Sequence, residues 1–280
     1  MPEMPEVEIL ARHLRPLLRD TTIRSLKVCR PRVTRPTLPA ELEKALAGAK
    51  FKSLSRRGKY LLFEFQPKHS KSALKVLGHL GMTGRMFLAV KREPLPKHAA
   101  VVFDLGDRNF IYEDVRYFGR MTLDLSQVEA LGPEPSDVTP DDFAKSLKRS
   151  RQAIKVKLLD QCLIAGIGNI YASEALFRAC ISPKLPANRV TSAQAKKLLH
   201  AINDVLNDSI KFGSTVTPKT VSGKSGTLFY FDNDGEGYYE KRLRVYDRAG
   251  KPCLNCGTKI VRITQAARST FFCPRCQRIR

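Results

Sequence analysis

At 280 residues the chain has room for about two domains, each large enough to bury a core without disulfides. Lysine and arginine number 49 against 27 acids, a formal charge of +22, and that excess sets up a field that draws in polyanions, nucleic acid first among them. No run reaches the roughly 18 apolar residues of a membrane span, and Met1-Pro2-Glu3-Met4-Pro5-Glu6 lacks the basic and apolar regions of a secretory signal, so no membrane partner and a cytoplasmic location are expected.

The first element is a helix starting near Pro5, with Val7, Leu10 and Leu14 on one face. Strands follow. Tyr60 to Phe65 and Val101 to Phe103 are rich in β-formers, and Gly106-Asp107 ahead of Phe110-Ile111-Tyr112 signals a hairpin. A β-sandwich with helices at its margin is expected over residues 1–130. Gly132, Pro133 and Pro135 break the pattern, so 131–138 reads as a linker.

From 139 to 222 the period is helical. Thr139 supplies an N-cap, Pro140 the first helical position, and Asp141 and Asp142 a negative first turn. A second helix carries Ile154 and Leu158, and a third follows Asn169. Thr191 and Gln194 form a capping box ahead of Leu198, Ile202, Leu206 and Ile210, and Lys211 and Gly213 close that helix. Residues 223–250 are polar and glycine-rich, ending in a strand-like Leu243 to Tyr246. No internal repeat is present.

Within 251–280, Cys253-Leu254-Asn255-Cys256 and Cys273-Pro274-Arg275-Cys276 offer four thiolates to one tetrahedral Zn2+; the alternative, two disulfides, is disfavoured in a reducing cytosol. Cys29, Cys162 and Cys180 stand apart and are expected as core thiols. Arg56, Arg57 and Lys59 precede a strand, and Arg268, Arg275, Arg278 and Arg280 crowd the cysteines. Rigidly held cations of this kind grip phosphates, although a solvated charged face has the same composition. Gly166-Ile167-Gly168-Asn169 opens a helix, where a phosphate is able to approach; a tight turn between helices needs the same glycines.

Six ordered segments together resemble the formamidopyrimidine-DNA glycosylase and endonuclease VIII family. They are Met1 to Glu8, Ser55-Arg56-Arg57-Gly58-Lys59-Tyr60, His79-Leu80-Gly81-Met82-Thr83-Gly84, Asp114-Val115-Arg116-Tyr117-Phe118-Gly119, Gly166 to Ala172, and the four-cysteine ribbon. The resemblance implies an α+β fold: an N-terminal β-sandwich lobe, a central helix-two-turn-helix lobe and a C-terminal zinc finger that grip damaged double-stranded DNA. It implies a monomeric bifunctional glycosylase and abasic-site lyase for oxidised purines, with 8-oxoguanine and formamidopyrimidines as lesions and one structural Zn2+.

The same resemblance assigns roles by position. Pro2, exposed once Met1 is removed, would be the nucleophile; a terminal amine with a pKa near 8 keeps a usable neutral fraction at physiological pH. Glu3 would be its acid/base partner and Glu6 would orient the sugar or leaving group. Lys59 and Asn169 would hold phosphates flanking the lesion, with Arg268 adding a grip and His79 a further DNA contact. Lys155 and Tyr171 would line the active site. Met82, Arg116 and Phe118 would fill the hole left by a flipped base.

Two departures bear on specificity. Val115 stands where the family usually has proline, and the segment 216–237 is longer and more polar than the resemblance leads one to expect, which leaves lesion preference open. That segment is expected to cover the extruded base. Two rival readings keep the fold: action on oxidised pyrimidines, as in the endonuclease VIII branch, and a zinc-ribbon DNA-binding protein without chemistry. Pro5-Glu6-Val7-Glu8 is more similar to the purine branch, and a pure binder has no use for Pro2 beside Glu3.

Overall fold

A computed structural model describes residues 2–213, 219–220, 228–229 and 242–279. They form two compact units. Pro2, Glu6–Glu129, 219–220 and 228–229 belong to one; Glu3–Pro5, Ala130–Gly213 and 242–279 belong to the other.

The first unit holds α1 (Met4–Leu18) from Glu6 onward, β1 (Ser25–Val28), α2 (Pro39–Leu46), β2 (Lys50–Arg57), β3 (Tyr60–Gln66), β4 (Leu74–His79), β5 (Gly84–Val90), β6 (Ala99–Asp104), β7 (Arg108–Asp114), β8 (Arg120–Thr122) and α3 (Ser126–Glu129). Its strands make two four-stranded antiparallel sheets, ordered β1-β6-β7-β5 and β2-β3-β4-β8. Alternation decides which residues face inward. Leu61, Phe63 and Phe65 of β3 and Phe110 and Tyr112 of β7 meet in one core, with Phe63 and Phe110 ring centroids 5.8 Å apart. Val7, Leu10 and Leu14 of α1 pack on the same core. The β6–β7 hairpin turns at Gly106, whose φ of +108° favours glycine and whose N–H donates to the Asp104 carboxylate.

The second unit contains α4 (Pro140–Lys148), α5 (Ile154–Lys157), α6 (Asn169–Arg178) and α7 (Ser192–Gly213). Thr139 caps α4 by accepting from the Asp142 N–H, and Thr191 and Gln194 exchange reciprocal bonds at the start of α7. Leu198, Ile202 and Leu206 of α7 pack against Phe143, Leu147, Ile154 and Tyr171. Residues 131–138, expected as a linker, bond into this unit: Gly132 N–H donates to Gln161, Pro133 accepts from Ala165 N–H and Pro135 from the Asn203 amide. Beyond 242 come β11 (Val261–Gln265) and β12 (Arg268–Phe272), a hairpin turning at Ala266 and Ala267, both at positive φ. Lys219–Thr220 (β9) and Leu228–Phe229 (β10), which belong to the first unit, pair antiparallel. Apart from these strands, the 216–237 stretch expected to cover an extruded base lies outside the described residues, as does most of 223–241.

Two expectations need correction. Leu243 to Tyr246 is not a strand. The N–H groups of Arg244, Val245 and Tyr246 converge on the buried carboxylate of Glu174 at 2.8–2.9 Å, so one side chain takes the donors that a neighbouring strand would have taken. Cys162 and Cys180 are exposed and Cys29 is half-buried, not core thiols. Cys180 takes φ +60° just past α6, a helix-ending position that faces solvent.

Candidate functional site

Pro2 is half-buried and Glu3 is 1% exposed. One Glu3 oxygen accepts the Ile170 N–H at 2.8 Å and the other the Tyr171 N–H at 3.4 Å, both at the first turn of α6. The helix terminus and its free donors stabilise negative charge on this carboxylate. Gly168 makes the approach possible, since a Cβ there would lie 2.3 Å from Glu3 Cδ. Gly166, at φ +91°, accepts from the Met4 N–H at 3.1 Å and fixes the chain on the far side of Glu3. The two glycines therefore seat a carboxylate of the protein itself where the sequence suggested a phosphate.

Around the same helix start the unit gathers further groups. Lys155 is 1% exposed; its ammonium donates to Asn169 Oδ1 at 2.6 Å and to Thr270 Oγ1 at 3.4 Å. Burial lowers its pKa to about 8, with Glu3 pulling it up and Arg268 pushing it further down. Asn169 also donates to the Ser269 carbonyl at 2.9 Å, tying α6 to β12. Tyr171 is buried, its hydroxyl 2.6 Å from Ser209 Oγ of α7. Arg268 is exposed at the start of β12. Glu3, Lys155, Asn169, Tyr171 and Arg268 thus belong to one unit, and Thr270, Ser209 and Glu174 support it. Sequence reading missed those three because each partner lies far away along the chain.

In the β unit Glu6 and Lys59 are half-buried. Glu8 accepts from Arg12 at 2.8 Å and from Arg56 at 2.9 Å. Burial raises the Glu8 pKa and the two guanidiniums lower it, and the guanidiniums win. Arg56 is therefore part of an internal ion pair, which corrects its placement among phosphate-gripping cations. His79 stacks near Tyr60 with centroids 4.7 Å apart, and its Nδ1 accepts the Gly81 N–H. Burial, then Lys59 and Arg120, lower its pKa to about 4 against the pull of Asp114, so the ring is neutral at physiological pH.

A consequence for stability follows. The unfolded imidazole titrates near 6.5 and the folded one near 4, so the unfolded chain binds the extra proton between those values and stability falls as pH falls through them. His13, also lowered by burial, acts in the same direction. His79→Gln should flatten the loss of melting temperature between pH 6.5 and 4 without removing it; an unchanged profile would mean that the ring is not held neutral.

Met82 and Phe118 are 43% and 44% exposed, and Arg116 is exposed between them. The Arg116 guanidinium lies 4.6 Å from the Phe118 ring centroid, and Nη1 is 3.3 Å from Met82 Sδ. Three side chains able to stack or wedge thus share one exposed tip.

Cys253, Cys256, Cys273 and Cys276 carry Sγ atoms all within 4.8 Å of one another. The Cys256–Cys276, Cys256–Cys273 and Cys253–Cys276 sulfurs stand 3.4, 3.5 and 3.9 Å apart. A zinc–sulfur bond of about 2.3 Å puts tetrahedral sulfur edges at about 3.8 Å, whereas a disulfide bond is about 2.05 Å long. The four thiols are free and fit one structural Zn2+. Gln277, buried, braces this knuckle by accepting the Cys273 N–H and donating to the Ile181 carbonyl.

Comparison with known proteins agrees with this arrangement. Residues 1–121 match the family described as formamidopyrimidine-DNA glycosylase N-terminal domain, 131–220 its H2TH domain, and 250–279 the zinc finger found in FPG and IleRS. The formamidopyrimidine-DNA glycosylase of Desulforamulus reducens is 39% identical over 292 residues, covering 99% of each chain. That of Carboxydothermus hydrogenoformans is 35% identical over 280 residues, covering 99% of this chain and 100% of its own. The Lactococcus lactis enzyme, 33% identical, has been solved bound non-covalently to DNA containing an abasic site (TM-score 0.85) and, as a G226P mutant, with Fapy-dG-containing DNA (TM-score 0.86); each match covers 99% of this chain and 100% of the other. Among the described residues, no helix is long and apolar enough to cross a membrane.

Proposed function

The chain belongs to the formamidopyrimidine-DNA glycosylase family, and from that premise we propose how its own residues carry out excision of oxidised purines from duplex DNA and cleavage of the abasic strand. The observation that carries the reading is the Glu3 carboxylate, buried at the α6 terminus and directly following Pro2.

With Met1 removed, Pro2 presents a secondary amine. Its nitrogen bonds to C1′ of the damaged nucleotide as the C1′–base bond breaks, and the electron pair leaves with the base, which takes up a proton. The Glu3 carboxylate takes the Pro2 N–H proton and delivers it to the ring oxygen as the sugar opens, leaving an iminium (Schiff-base) link between the Pro2 nitrogen and C1′. The iminium acidifies C2′–H; loss of that proton expels the 3′ phosphate, and a second elimination expels the 5′ phosphate. Glu6 orients the sugar or leaving group.

Lys59, Asn169 and Arg268 are the phosphate-facing groups in this reading, His79 is a further DNA contact, and Lys155 and Tyr171 line the site. Asn169, held by Lys155 and Ser269, is a rigid contact and not a flexible one. Met82, Arg116 and Phe118 enter the stack where the lesion leaves it. The four cysteines hold Zn2+, which stiffens the hairpin carrying Arg268 and takes no part in the chemistry. One chain supplies every group named, which supports a monomer as the working unit, and the bacterial relatives together with a DNA substrate support action in the bacterial cytoplasm.

The test is a single-turnover comparison on duplexes bearing one formamidopyrimidine, one 8-oxoguanine or one oxidised pyrimidine. Excision of the purine lesions, leaving phosphates at both ends of the gap, is the expected outcome. Preference for the pyrimidine lesion would move the chain to the endonuclease VIII type of activity, and tight binding without cleavage would make it a binding protein.

A further inference from the structure

The two chain crossings between the sheets of the β unit run side by side. β4 ends at His79 and the chain passes through Leu80 to Thr83 into β5 of the other sheet; β7 ends at Asp114 and the chain returns through Val115 to Gly119 into β8. The registers lock their feet together, with Gly84 opposite Asp114 and His79 opposite Arg120. The first crossing carries Met82 and the second carries Arg116 and Phe118.

One carboxylate joins them. Asp114 is fully buried. Its Oδ1 accepts from the Thr83 hydroxyl at 2.6 Å and the Arg116 N–H at 3.1 Å; its Oδ2 accepts from the Gly119 N–H at 2.8 Å and the Tyr112 hydroxyl at 3.3 Å. The backbones touch as well: a Cβ on Gly81 would lie 2.6 Å from Gly119 N, and one on Gly119 1.9 Å from the Tyr112 hydroxyl. On the outer side Tyr117, at φ +52°, is held by Arg30 at 3.0 Å and His98 at 3.2 Å. The base of both loops is rigid, and the exposed side chains stand on it.

We propose that Asp114 is a positioning residue that bolts the two crossings into one preformed wedge, so that Met82, Arg116 and Phe118 enter duplex DNA as a unit. This rests on the wedge reading given above. Ordering two separate loops at the moment of insertion would subtract from the interaction that opens the base stack, and a preordered pair avoids that loss. A charged acceptor with four donors is strong enough for the task.

The experiment compares single-turnover excision of the same lesion in a fully paired duplex and in a bulge where its strand is already unstacked. Asp114→Asn, which keeps the shape but replaces one acceptor oxygen by a donor, should slow the paired substrate by roughly tenfold and change the bulged one by less than about twofold. Thr83→Val, which removes one donor with little risk to folding, should show the same selectivity at smaller size. Met82→Ala with Phe118→Ala serves as the reference for wedge loss.

If the reference pair shows no selectivity, the wedge reading falls and the proposal with it. If the reference pair is selective while Asp114→Asn and Thr83→Val are not, only the bolt is overturned. Equal loss on both substrates by Asp114→Asn would assign Asp114 to general stability, again overturning it. Should Asp114→Asn not fold, Thr83→Val decides.

Discussion

Replacing Glu3 by glutamine is expected to slow base excision by roughly two to four decades in a single-turnover assay, the range of general acid–base catalysis. Glutamine keeps the length of the side chain but carries no exchangeable acid and turns one acceptor into a donor. That donor would oppose the Ile170 or Tyr171 N–H, which the carboxylate now satisfies. Gly168→Ala should have the same sign by a different route, because its Cβ would occupy space 2.3 Å from Glu3 Cδ and force the carboxylate aside. Binding to duplex carrying a stable abasic-site analogue reports on the rest of the interface and should fall far less. A loss of excision below about tenfold would remove Glu3 from the proton-transfer role.

Stripping zinc should have the second large effect: loss of duplex binding together with loss of the β11–β12 hairpin. The apolar cluster here is small, with Phe177, Val245, Cys253, Ile260, Phe271 and Cys273 buried, and two of these six are metal ligands. So few side chains do not hold such a segment alone, whereas structural zinc in finger peptides contributes on the order of 10 kcal/mol or more. Arg268 stands at the head of β12, and Thr270 of the same strand meets Lys155, so melting the hairpin removes an exposed cation and loosens the Lys155–Asn169 cluster. Chelation followed by fluorescence anisotropy on lesion duplex measures this; zinc should restore binding. Unchanged affinity in the stripped protein would show that the ribbon is not a gripping element.

Elements with a local signature were legible in the sequence. Thr139 and the Thr191–Gln194 pair announced their helices because capping is a contact over three residues. Gly106 announced its hairpin through a turn requirement. The four cysteines announced a metal site through their spacing, once a reducing compartment set disulfides aside. What stayed hidden were contacts between residues distant in the chain. Glu174 meets Arg244, Val245 and Tyr246 some 70 positions later, and nothing in its own helix period marks it as anything but a misplaced acid on a buried face. Arg56 looked like a phosphate ligand until Glu8, 48 positions earlier, was found holding it. Asp114 was quoted as part of a motif, yet its partners Thr83 and Gly119 come together only when the two crossings lie side by side. Glu3 was named as acid/base partner through resemblance, while its seat on α6 and the reason for Gly168 came from the fold.

The central claim is that covalent chemistry runs through the Pro2 nitrogen. A competitor stands nearby in the sequence of candidates: Lys155, whose burial brings its pKa to about 8, also offers a neutral amine fraction at physiological pH. Borohydride reduction of the enzyme with duplex carrying one formamidopyrimidine or 8-oxoguanine, followed by proteolysis and mass spectrometry of the crosslinked peptide, separates them. The expected crosslink lies on residue 2 of a chain lacking Met1 and disappears when the N-terminus is blocked. A crosslink on Lys155 or Lys59, or full trapping by a chain that retains Met1, would contradict the account.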